Sequence, residues 1–157
     1  MASAGRSWFM PLIGLVLVAV AGGGYWYFRD YFEPPQALTL PLDDCDLQQQ
    51  ACRRKLPGGG EMEFGITPRP IPLVSPLKLQ LQVKGRQVEK AEVDFSGVTM
   101  NMGYNRVRLK RVGEESFEGE GFLPVCVRQR MDWEAKVFLH LPGEVIAVPF
   151  RFETQRK

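Results

Sequence analysis

Two short segments far apart in the chain carry sulfur. One is Thr99-Met100-Asn101-Met102-Gly103-Tyr104; the other runs from Pro124 through Cys126 and Met131 to Trp133. Thioether and thiolate sulfurs are soft donors suited to Cu(I), and a thioether binds without losing a proton. In an extended Met-x-Met the two side chains fall on one side of the backbone, so both can reach one ion. If the two segments meet, Met100, Met102, Cys126 and Met131 form a candidate site of three or four sulfurs. The same residues have a plainer use, because methionine fills irregular gaps at the edge of a core. No paired His/Cys spacing suggests zinc. The single histidine, His140, sits in the alternating run Phe138-Leu139-His140-Leu141 and reads as a half-buried strand residue.

The cysteines number three. Cys45 and Cys52 flank a short turn and are expected to pair as a disulfide, which persists only in an oxidising compartment. Cys126 is then the odd thiol. It is open to three readings: a small buried hydrophobe, a partner for Cys45, Cys52 or another chain, or a metal or redox group.

The elements that must position these groups follow from hydropathy. Trp8 to Phe28 contains no charged residue and at helical rise spans about 30 Å, the depth of a bilayer core. Aromatics stand at both ends, Trp8 and Phe9 against Tyr25 to Phe28, as at a headgroup boundary. Arg6 lies on one side and several acids follow on the other. The reading is therefore a cytoplasmic segment 1–7, a transmembrane helix over 8–28 and an exported C-terminal part. A cleaved signal peptide is the competing reading, with Ala19-Val20-Ala21 as a small-residue cleavage site. Either way the remainder is exported.

Residues 29–44, with Pro34-Pro35, read as a stalk, and 45–157 as one domain. Asp43 or Asp44 is placed to cap a short helical turn after Cys45. From Glu61 onward the period is two. Strands are expected over 61–67, 77–83, 88–95, 105–112, 116–123, 133–141 and 145–152, with turns at Gly85-Arg86, Gly113-Glu114 and Pro142-Gly143-Glu144. The fold class is mainly β, an antiparallel β-sandwich of immunoglobulin-like or cupredoxin-like type, behind one N-terminal transmembrane helix.

Several functions are excluded by what is missing. A net charge of +2 with interleaved signs does not make the concentrated basic face that nucleic acid needs. No nucleophile elbow, His-Glu-x-x-His pair or phosphate-cradling glycine loop occurs. Glu118 and Glu120 read as the solvated face of a strand opposite Arg106, Arg108 and Lys110, not as a catalytic pair. No enzyme is expected.

The stretch Phe95 to Tyr104, a polar strand, then Gly121-Phe122-Leu123-Pro124-Val125-Cys126 and Arg130-Met131-Asp132-Trp133 together resemble a group of small, singly anchored bacterial proteins. Their genes lie beside copper-chaperone genes of the Sco/SenC type. More distantly the chain is similar to FixH/CcoH and YtkA-like proteins, which carry a methionine motif in an exported β-sandwich. The resemblance spans roughly 40–152. It implies a periplasmic protein of the bacterial inner membrane that works in copper delivery or respiratory oxidase assembly, with a Sco-type chaperone or an oxidase as partner. In one respect the chain departs from the YtkA-like pattern: Tyr104, not histidine, follows Met-Gly. A site carried over from that pattern lacks a nitrogen ligand, which favours Cu(I) over Cu(II). The other class in play is a metal-free interaction module docking on a membrane complex through an edge strand or the glycine faces of its anchor.

Overall fold

The structure, a computed structural model, describes residues 9–32, 37–124 and 129–155; within the first segment, side chains are described for 13–20 and 22–25. The chain divides into two compact units, Met1–Pro35 and Gln36–Lys157.

The first unit contains α1, Phe9–Phe32, which takes up the apolar run from Phe9 and continues through Arg29 and Asp30. Among the described residues no helix is long and apolar enough to cross a membrane. The run read as an anchor extends past the described side chains at both ends, so the anchor keeps only the support of the sequence.

The second unit is β1 (Ala37–Thr39), β2 (Cys52–Lys55), β3 (Glu61–Thr67), β4 (Pro76–Lys84), β5 (Lys90–Gly97), β6 (Arg106–Arg111), β7 (Ser116–Phe122), β8 (Arg130–Leu141) and β9 (Glu144–Gln155). The alternation that marked these strands is the alternation that buries them. In β4, Leu77, Leu79, Leu81 and Val83 are buried while Lys78, Gln80, Gln82 and Lys84 are exposed. Seven strands match the sequence expectation to within a few residues. β1 and β2 were not expected, and β1 takes in residues 37–39 of the stretch read as a stalk.

The sandwich expectation is corrected in one respect. Instead of two separate sheets there is one nine-stranded sheet, in the order β1-β9-β8-β5-β6-β7-β4-β3-β2, that curls over on itself. β1 runs parallel to β9; every other neighbouring pair is antiparallel. The curl falls at β6, whose residues 106–109 pair with β5 while Lys110 and Arg111 pair with β7. Gly119 lies close against that bend: a Cβ there would stand 2.6 Å from Leu109 Cδ2. The two halves then face each other, with the rings of Phe64 in β3 and Phe150 in β9 at 5.7 Å between centroids.

The outermost strands, β1 and β2, are consecutive in the chain, so residues 40–51 span the open seam between the two sheet edges. Leu47 is fully buried in this segment. Gln48 holds it from both sides, donating from Nε2 to the carbonyl of Glu153 and accepting the Ile71 N–H at 2.7 Å. Arg69 donates to the Leu47 carbonyl at 3.2 Å. Cys45 and Cys52 lie at disulfide distance, S–S 2.05 Å, as expected. Arg54, pointing inward from edge strand β2, pairs with Asp43 at 3.3 Å and donates to the Pro41 carbonyl at 2.7 Å. An inward charge of this kind blunts a sheet edge. The turn after Cys45 is shaped by Asp46, which accepts the Gln48 N–H at 2.9 Å, not by Asp43 or Asp44.

Strand directions sort the loops. Turns 56–60, 85–89, 112–115 and 142–143 lie at the end where β1 begins. Loops 68–75 and 98–105 and the start of β8 lie at the opposite end.

Candidate metal centre

The methionine loop sits at the end of the domain farthest, along the strands, from where β1 begins. β5 closes on Gly97, which pairs with Trp133 of β8. Val98 then donates to the Asp132 carbonyl at 3.0 Å, and the chain turns back toward β6. Asn101 closes the turn, its Oδ1 accepting the Gly103 N–H at 2.9 Å, and Gly103 takes a φ of +78° that glycine adopts without strain. Asn101 is exposed. Met100 and Met102 are half-buried and pack against the core, so both face the same body of the protein.

Met131 was expected in a turn region. It lies instead in β8, on the inner face, 3% exposed, because β8 starts three residues before Trp133 and alternation turns Met131 inward with it. Gly97 is where the methionines meet. A Cβ built there would lie 2.4 Å from Met131 Cε, 2.6 Å from the Met100 carbonyl oxygen and 3.3 Å from Met102 Cγ. Two thioether side chains thus share the space over a residue with no side chain of its own. Sequence reasoning named the sulfurs and missed Gly97; the available signal was a glycine ending a strand directly before the Met-x-Met turn. Cys126, the expected thiol ligand, lies in 125–128, outside the described residues.

Among the described residues no group of three or more His, Cys, Asp or Glu side chains is placed to hold a metal ion. His140, half-buried as expected, has its Nε2 3.0 Å from Glu92 Oε2. Lys90 Nζ stands 2.9 Å from the other oxygen. Burial pushes the Glu92 carboxyl up, but hydrogen bonds from Lys90 and His140 outweigh it and hold the group below the usual carboxylate range. A depressed folded-state value contributes stability above the unfolded carboxylate pKa of about 4.3, lost as pH falls through the lower folded value. Thermal melts from pH 5 to 3 will therefore show a loss of stability that is smaller in Glu92→Gln; equal slopes would remove Glu92 from the account.

The rim of the methionine end is apolar and open. Val74, Phe122 and Tyr104 are 54%, 46% and 83% exposed. Val74 donates to the Leu123 carbonyl at 3.0 Å, and Asn105 donates to the Phe122 carbonyl at 2.8 Å, which brings the three loops together. Val74 has a φ of +55°, a strained value for a β-branched residue. The Arg106 guanidinium lies 5.6 Å from the Tyr104 ring centroid and 4.5 Å from that of Phe138. On the outer face Glu118 is aligned with Lys110, as expected, and lies 3.5 Å from Lys78; Arg106 and Arg108, expected opposite the same acids, are aligned instead with Asp94 and Glu92 of β5.

No protein-family model, no curated protein and no solved structure matches this chain.

Proposed function

We propose that this protein is a membrane-anchored accessory protein of the bacterial inner membrane that holds Cu(I) in the periplasm through methionine sulfur, for delivery to a Sco-type chaperone or to a respiratory oxidase under assembly. The observation that carries the reading is the meeting of Met102 and Met131 over Gly97, with Met100 in the same turn. Thioethers suit a soft monovalent ion, and with His140 engaged by Glu92 the donor set fits Cu(I) better than Cu(II). Met100, Met102 and Met131 would hold the ion, and Cys126 is the proposed thiol among them. The role is binding, not catalysis. The anchor rests on the uncharged run from Trp8 to Phe28 in the sequence. The disulfide-distance pair supports an oxidising compartment.

Anaerobic titration of the detergent-solubilised full chain with Cu(I) against a competing chelator tests the reading. One equivalent is expected to bind, and Met100→Leu/Met102→Leu is expected to weaken it at least about tenfold, or 1.4 kcal/mol. Unchanged affinity in that variant would remove the methionine site. The second reading, a metal-free docking module, is favoured by the open rim of Val74, Phe122 and Tyr104. It predicts capture of a membrane complex that Phe122→Ser abolishes and that copper chelation leaves intact.

A further inference from the structure

We propose that the turn over Gly97 is a methionine-oxidation site, at which a sulfoxide on Met102 lifts the 98–105 loop off the core. The four methionines whose side chains are described fall into two classes. Met62 and Met131 are 1% and 3% exposed, whereas Met100 and Met102 are half-buried in a loop at the domain end. Peroxide reaches sulfur by direct contact, so accessibility sets the order of reaction. The step itself is a two-electron transfer. The thioether sulfur attacks one oxygen of hydrogen peroxide, an S–O bond forms as the O–O bond breaks, and the departing hydroxide takes the proton of the transferred hydroxyl to leave as water, giving the sulfoxide.

What makes this position responsive is the absence of slack. Met102 Cγ and Met131 Cε both crowd the point where a Gly97 Cβ would stand. A sulfoxide adds a polar oxygen to a side chain that packs against the buried apolar core, and an oxygen turned to that side loses its water. The hydrogen bonds that hold the loop include Val98 to the Asp132 carbonyl, Asn105 to the Phe122 carbonyl and the Asn101 turn. They lie near the surface, and local opening at such sites costs much less than global unfolding. Oxidation therefore shifts the loop outward, and Met131, now uncovered, becomes the next sulfur to react. The inference goes beyond copper binding, and its readouts contain no metal.

The experiment exposes the full chain in detergent micelles to hydrogen peroxide. Peptide mass spectrometry follows each sulfur and amide hydrogen exchange follows residues 95–105 and 130–133. Met100 and Met102 are expected to oxidise at least tenfold faster than Met62 and Met131. Exchange in both segments should rise at least tenfold on oxidation and return after treatment with methionine sulfoxide reductases, which leave oxidised cysteine untouched. Met102→Leu, close in volume, should lose the exchange response while Met100 still oxidises; Met102→Gln should show the fast exchange without peroxide. Similar rates at all four sulfurs, oxidation with unchanged exchange, or a full response in Met102→Leu each overturns the proposal.

Discussion

Leu47→Ala will lower the unfolding free energy of the β domain by about 3 kcal/mol, within the range of about 2–5 kcal/mol for truncating a fully buried leucine. The size follows from where Leu47 sits. It is 0% exposed in a segment with no strand of its own, and it belongs to the same buried cluster as the strand residues. Its backbone is tied by Arg69 and its neighbour Gln48 by Glu153 and Ile71, so the segment has little freedom to collapse into the cavity. Replacing both Cys45 and Cys52 with alanine closes no loop in the unfolded chain and costs about 2–3 kcal/mol. The two losses fall on one short segment, so the triple variant should be destabilised by less than their sum. Urea titration of all three checks this. Strict additivity would show that the disulfide and the leucine act on separate parts of the domain.

The second large effect is expected at Gly97. Alanine there meets Met131 Cε, which can swing away, but also the Met100 carbonyl oxygen at 2.6 Å, which is backbone and cannot move without the turn. Overpacking of this kind costs about 1–3 kcal/mol. Gly97 has no positive φ, so the penalty is one of space alone. Gly103 makes the contrast. A Cβ there meets nothing within 4 Å, but its φ is +78°, so Gly103→Ala should cost only about 1 kcal/mol through backbone strain. On the proposed function, Gly97→Ala should also weaken Cu(I) binding by pushing Met102 and Met131 apart, while Gly103→Ala leaves the sulfurs packed. Equal effects of the two substitutions on stability and on binding would sink the assignment of Gly97 as the floor of the site.

The strands that could be read from the sequence are those with enough residues to show period two against a core. β4 and the β8–β9 hairpin are the clearest cases. β1 has three residues and β2 is Cys-Arg-Arg-Lys, too short and too charged to show a face, which suits edge strands. The curl at β6 was hidden for another reason. Gly119 stands beside it, where a Cβ would meet Leu109, and a glycine inside a strand signals a close approach without saying what approaches. The site was half legible. Residue type and spacing picked out Met100 and Met102, and alternation back from Trp133 was enough to turn Met131 inward. That these meet over Gly97 depends on the pairing of Gly97 with Trp133, a long-range register that no local pattern encodes.

Because β1 and β2 are neighbours in sequence but opposite edges of the sheet, the domain has an order of assembly built into it. β1 pairs only with β9, Ala37 with Val145, so the first strand to leave the ribosome waits for almost the last. Pairings of such long range are slow to form. The Cys45–Cys52 loop spans seven residues and can close long before, while the seam around it is still unformed. In the interval the outer edge of β9 stands open, and Pro149, which offers no N–H, interrupts it as a template for another chain. The segment made first is thus the segment that finishes the fold, and its two cysteines are in reach of each other while most of the domain is still to come.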